Sequence, residues 1–277
     1  MEHAMDRLFK NARAIPSIPQ VLHHLLHTLN NDECSLDEII HPLQQDPLLT
    51  AKVLQMANSA RYGLQRVIGG LEDAILLVGL DAVRTLAITS ALISHMRHID
   101  GLQMQGFWRL SLLSALLARD MAQDCGLSSE PAYLGALFHR IGWLAIHATI
   151  PTQSITINQI ARDMTLTERA DLEMRHLGFT HAHVGAKILS QWQLPETISD
   201  AIKSYLTPLE ANASRLAGVV HCAVSLATQL ENNIRPWHWG ESVDSELSER
   251  LGLNWFAWQK KEKVIQQQRE TADIITC

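Results

Sequence analysis

Apolar side chains recur three and four positions apart along almost the whole chain, the period of a helix with one buried face. Val21, Leu22, Leu25, Leu26 and Leu29 make the first such stripe. Ser35-Leu36-Asp37-Glu38 has the spacing of a capping box, where hydroxyl and Glu satisfy the free N–H groups of a helix start. Asp46-Pro47 predicts a second start, because Pro lacks only an N–H that the first turn leaves unpaired, and that helix runs to about Ser59. Gly69-Gly70 breaks the pattern, a short helix follows to Gly79, and Asp81 opens a longer apolar one to about Met96. Gly101 to Gly106 reads as a connection. Beyond it the pattern predicts a helix from Phe107 to about Asp124, and one from Pro131 through Leu137, Phe138, Ile141 and Leu144 that Pro151 ends. Further helices start near Thr167, at His181 (to Trp192), at Pro195 and at Ala211 (to Glu231). No strand-like alternation with hairpin turns and no internal repeat interrupts them, so the expected class is all-α.

Composition narrows the function. The length of 277 residues suits two domains or one domain of two lobes. At 47% hydrophobic and 19% charged, the chain can bury a sizeable core and is not disordered. Its net charge of -6 gives no bulk attraction to nucleic acid or anionic lipid, so neither is expected as a partner. The apolar run Ala74–Ile93 is interrupted by Asp81 and Arg84, and the N-terminus carries Glu2 and Asp6 where a secretory signal would be basic. No membrane segment and a cytoplasmic location are therefore expected. Cys34, Cys125, Cys222 and Cys277 lie far apart, which argues against zinc ribbons and disulfide frameworks. Walker A, GxGxxG and GxSxG motifs are missing, as is a helix-turn-helix with a basic recognition helix.

Histidine is in excess, at 14 residues. His23 and His27 share a helix face without a carboxylate beside them, and read as solvated. His95 and His98 close a helix, where a partly positive ring suits the dipole. His139 and His147 fall on one predicted helix, and His176, His181 and His183 surround Gly178. Imidazole is a common metal ligand, so these last two sets are the candidates for chemistry.

Two groups of fragments, read in order, resemble one family. The first is Ile15-Pro16-Ser17-Ile18-Pro19, Asp46-Pro47-Leu48-Leu49-Thr50, Ala57-Asn58-Ser59-Ala60 and Tyr62-Gly63, continued by Ile68, Ala74-Ile75 and Gly79. The second is Phe107-Trp108-Arg109, Leu137-Phe138-His139-Arg140-Ile141-Gly142, Gly178-Phe179-Thr180-His181-Ala182-His183-Val184-Gly185 and Trp192-Gln193-Leu194-Pro195. Together, over roughly residues 14–228, they resemble the HDOD domain of bacterial signalling proteins. The resemblance implies an N-terminal helical bundle at 14–100 and a second helical lobe at 101–228 similar to HD phosphohydrolases, with a C-terminal helical extension at 229–277.

In HD enzymes a His, a His-Asp pair, further His residues and a last Asp bind metal, which activates water. On this chain the resemblance puts the first ligand near Leu110 and turns the His-Asp pair into His139-Arg140. It matches a later His to His181, and puts a following His pair near Ser204-Tyr205 and the last Asp near Val224. Two imidazoles without a carboxylate suit no divalent ion, and Arg140 suits an anion instead. The expected site is therefore degenerate, with no catalytic residue, no metal and no cofactor.

Two readings stay open for each remaining feature. Asn58 and Ser59 cap a helix end, or line a polar pocket as ligand-binding residues. His139, Arg140, Glu173, His176, His181 and His183 form a structural hydrogen-bonded network, or a pocket for a small anionic ligand. Trp237, Trp239, Trp255 and Trp258, four of the seven tryptophans, dock the last helices together with Phe256 or present a partner surface. The function expected from all of this is regulatory, non-catalytic signal transduction, through a signalling partner protein or a small anion. The alternative is a metal-dependent phosphohydrolase acting on a nucleotide or cyclic dinucleotide.

Overall fold

The computed structural model describes residues 2–10, 47–58, 67–79 and 101–276, with isolated positions 83, 86, 89, 90, 93 and 99. The described residues form helices and no strand, so the fold is all-α. None of these helices is long and apolar enough to cross a membrane. The His23/His27 pair, the capping box at 35–38, Ser59, His95 and His98 lie outside the described residues.

Contacts divide the chain into two units: Met1–Pro16 with Ile99–Glu262, and Ser17–His98 with Lys263–Cys277. The second unit holds α2 (Pro47–Ala57) and α3 (Leu71–Val78), packed together over Val53, Met56, Ala74 and Ile75. Asn58 follows α2 and closes it. Its side-chain amide donates to the carbonyls of Leu54 and Ile68, both at 2.8 Å, and its side-chain oxygen accepts from Ile68 N–H at 2.7 Å. In the same unit Lys52 Nζ donates to the Ile275 carbonyl at 2.5 Å.

The first unit carries α1 (Glu2–Lys10) and the run from α4 (Met104–Asp124) to the small C-terminal helices. Helix α4 is apolar on most of its circumference and buries Trp108, Leu112, Leu113 and Leu117. It packs against α5 (Ser129–Phe138) and α11 (Arg215–Glu231). Helix α9 (His181–Gln191) packs against α6 (Ile141–Thr149) and α10 (Glu196–Ser204). Between them lie α7 (Pro151–Ile160) and α8 (Leu166–Leu177).

Two helix boundaries differ from the sequence expectation. The helix expected from Pro131 to Pro151 is two helices, α5 and α6, broken at His139-Arg140. The His139 ring bonds the carbonyl of Ala136, the acceptor a continuing helix would give to the Arg140 N–H. Arg140 takes φ -102 and ψ 4, and α6 restarts beyond it. Pro151 opens α7 rather than only ending α6, as its missing N–H allows at a first turn.

The break lets α6 approach α9 very closely. A Cβ on Gly142 would collide with the His181 carbonyl and the Gly185 nitrogen, so only Gly fits there. Capping fixes the flanking helices. Thr165 and Glu168 close a capping box at α8, which ends on Gly178 in the left-handed region at φ 77. Thr180 and His183 close another at α9.

In the C-terminal stretch Trp239 and Trp258 are buried, whereas Trp237 is 58% and Phe256 64% exposed. Trp255 covers Gly240 and donates its indole N–H to Ser248 Oγ at 2.9 Å.

Candidate functional site

A cavity of about 490 Å³ opens within the first unit. Its wall is assembled from six helices, the α5–α6 break, the turn that follows α7 and the end of α10. The α5–α6 break supplies His139 and Arg140, α6 supplies Trp143, α8 supplies Arg169, and α9 supplies His181. Tyr205 stands at the end of α10. Asn158 and Gln159 of α7, Leu110 of α4 and Val224 of α11 contribute to the rest of the wall. The positions that the resemblance pairs with metal ligands, Leu110, His139, Arg140, His181, Tyr205 and Val224, thus converge on one space.

A polar chain runs behind the wall. Glu173 is fully buried and accepts from the His181 backbone N–H and from His181 Nδ1, both at 2.7 Å, and from Arg169 Nε at 2.9 Å. Burial alone would raise the Glu173 pKa, but His181 and Arg169 together outweigh it and hold the carboxyl at about 2. Because His181 Nδ1–H donates to this carboxylate, its Nε2 presents a lone pair. Tyr205 OH donates to that nitrogen at 2.6 Å. Burial lowers the His181 pKa against the pull of Glu173, so the ring is neutral. Burial, reinforced by Glu173, also raises the Tyr205 pKa and keeps the phenol protonated.

His139 is only 1% exposed. Its Nδ1–H donates to the Ala136 carbonyl at 2.6 Å, and its Nε2 is buried without a partner. Burial first, and then the positive charge of Arg140, push its pKa well below the ordinary histidine value. The Trp143 indole N–H is a second buried group without a partner.

The cavity is cationic. The Arg140 guanidinium stacks over the Phe107 ring at 4.9 Å, and among the described residues no carboxylate pairs with it. Burial, and then repulsion from Arg169, lower its pKa to about 10. Arg169 stacks over Trp143 at 4.6 Å and turns one edge to Glu173. Arg162 adds a third guanidinium at the exposed rim. Stacked guanidiniums keep N–H edges for an oxyanion. Among the described residues no group of three or more His, Cys, Asp or Glu side chains is placed to hold a metal ion.

The other sequence candidates fall elsewhere. Asn58 belongs to the second unit and ties Ile68 to the end of α2. His176 and His183 do not line this cavity. His176 turns its Nδ1 to the Leu172 carbonyl of its own helix at 2.9 Å, and His183 caps α9 through Thr180. Neighbours in sequence around Gly178 point apart because α8 ends and α9 begins there. His147 lies on α6, past the break, and bonds Ser154 Oγ at 3.0 Å. Glu173 sits behind His181 rather than in the wall. Sequence reasoning missed Trp143 and Arg169. Arg169 and Glu173 stand four apart on one helix, a spacing that signals an ion pair. Trp143 lies in an apolar run that reads as core.

Comparison with known proteins bears on this geometry. The HDOD domain family matches residues 15–208. An uncharacterized protein of Treponema pallidum is 24% identical over 192 residues, which is 68% of this chain but only 37% of that protein, so the chain spans well under half of it. Among solved structures, a Shewanella amazonensis protein provisionally named a phosphohydrolase superposes with TM-score 0.76 at 24% identity, over 98% of each chain. An HDOD domain protein of unknown function from Geobacter sulfurreducens gives 0.75 at 23%, over 99% of this chain and 98% of that one. A Marinobacter aquaeolei protein provisionally named a signal transduction protein gives 0.74 at 20%, over 100% of this chain and 65% of that one. At these identities the structural likeness is one of fold. The family match spans most of the chain and includes the helices that build the cavity as far as Tyr205, and on that match the protein belongs to the HDOD domain family.

Proposed function

We propose that this chain is a non-catalytic signal-transduction module that senses a small anion in the cavity of its first unit and passes the liganded state to a partner protein. One observation carries the reading: two guanidiniums, Arg140 and Arg169, line one cavity and repel each other, and among the described residues no Asp or Glu lines it with them. An anion between the guanidiniums would relieve that repulsion and take charge-assisted hydrogen bonds from both.

The rival reading is a metal-dependent phosphohydrolase; two structural neighbours from Shewanella amazonensis are provisionally named phosphohydrolases, one of them as metal-dependent. The donor set does not fit a metal. His181 Nε2 already accepts a hydroxyl proton from Tyr205, Leu110 and Val224 offer no lone pair, and Arg140 stands where a bridging carboxylate would. That leaves His139 Nε2 alone, whereas zinc sites use about three protein ligands or more.

Elemental analysis of the purified, untagged protein tests the choice. The proposal expects less than about a tenth of an equivalent of any transition metal. A full equivalent that is lost when His139 and His181 are both replaced would establish a metal centre and overturn it.

A further inference from the structure

We infer that the cavity selects oxyanions that bring a hydrogen-bond donor beside their charge, such as hydrogenphosphate or a phosphate ester with a neighbouring hydroxyl, over fully deprotonated ones such as sulfate. This rests on the proposed anion site and adds the class of ligand it takes.

Proton count sets the selectivity. A carbonyl oxygen only accepts, so the 2.6 Å contact to Ala136 fixes the His139 proton on Nδ1. Nε2 is then a lone pair, buried at the wall of the cavity with nothing bonded to it. A second proton on this ring is opposed by burial, by Arg140 on the same junction and by Arg169 from α8, while His181 from α9 is neutral. Glu173, the nearby carboxylate, is turned to His181 and Arg169 rather than to this ring. Tyr205, whose ring lies 5.7 Å from that of His139, donates its hydroxyl hydrogen bond to His181. Among the described residues of the wall, Arg140 and Arg169 therefore offer guanidinium donors, while His139 Nε2 is a buried acceptor that lacks a donor.

An oxyanion without a proton would satisfy the guanidiniums and point an oxygen lone pair at the lone pair of Nε2. An oxyanion carrying O–H satisfies both. Sites with a buried, committed hydrogen-bonding group reject ligands lacking its complement far more strongly than they reject changes of size.

The test is a calorimetric titration of the full chain with inorganic phosphate and with sulfate at about pH 8, where both are dianions and only phosphate keeps a proton. Phosphate binding at least about ten-fold tighter than sulfate is expected. His139→Gln, whose amide can present either a donor or an acceptor, should bring the two within about two-fold. Equal affinities in the native protein, or tighter sulfate, would overturn this inference while leaving the anion site standing. Binding of neither would overturn both. The native comparison decides even if the variant fails to fold. A further pair of probes, ethyl phosphate and 2-hydroxyethyl phosphate, separates the sources of the donor. A preference for the hydroxylated ester assigns it to a neighbouring hydroxyl, and a preference of the site for inorganic phosphate over both assigns it to the phosphate itself.

Discussion

Replacing Glu173 by Gln removes the charge that organises the cavity wall, and its cost can be worked from the structure. The carboxyl titrates at 4.5 in the free side chain and at about 2 in the fold. At about 1.36 kcal/mol for each tenfold change in proton affinity, this difference stabilises the folded state by about 3 kcal/mol at neutral pH. The sign follows from which state binds the proton. A depressed carboxyl pKa gives stability that is complete above about 4.5 and lost as pH falls toward 2. Gln also sets an amide donor among three donors, from His181 N–H, His181 Nδ1 and Arg169 Nε, so no rotamer restores the network. Urea unfolding of both proteins at neutral pH, followed by circular dichroism, should show the variant less stable by about 3 kcal/mol. Repeating it near pH 3 should shrink the gap to less than about half, and the two proteins should meet only as pH falls below about 2. The buried neutral histidines His139, His181 and His221, whose pKa values burial lowers, weaken both proteins as pH falls below about 6.5, so the difference between proteins is the quantity to read. Equal stability at neutral pH, or a gap that does not shrink on acidification, would refute this account of Glu173.

Two further changes probe the frame around the site. Gly142→Ala puts a methyl into the backbone of α9 and should cost at least about 2 kcal/mol in the same assay, with the anion site displaced along with His181; native stability would mean that the α6–α9 approach is looser than described. Truncation after Ile234 removes Trp239, Leu247, Leu251 and Trp258, all buried, and should lower helicity or cause aggregation, whereas a stable fold with lost association would make the exposed Trp237 and Phe256 a partner surface.

The all-helical class was legible because period-3.6 stripes and caps recur along the chain, and Pro195 and Ser214 sit at helix starts that the pattern placed within a few residues. The α5–α6 break was not legible. No Pro or Gly stands at His139-Arg140; the break depends on a side-chain bond to Ala136 and on the tertiary contact that Gly142 permits. Of the site, His139, Arg140 and His181 were named from sequence because the family resemblance aligned them. His176 and His183 were grouped with them by proximity in sequence, which a helix terminus at Gly178 undoes. Arg169 and Trp143 reach the cavity through packing of α6 and α8, a relation that no single-helix pattern contains. Tyr205 stands where a lost ligand was placed, but its bond to His181 Nε2 needed coordinates.

The claim that this cavity is built for an anion is tested most directly by titrating inorganic phosphate into the native chain and into Arg140→Ala, each checked for native helicity by circular dichroism. Arg140 lies at a helix break and stacks on Phe107 from the cavity wall, so its truncation should leave the helices in place. The account predicts saturable heat with the native protein and at least about a ten-fold loss of affinity in the variant, the scale of one charge-assisted contact. Undiminished affinity in a folded Arg140→Ala protein, or no binding to the native chain, would contradict it.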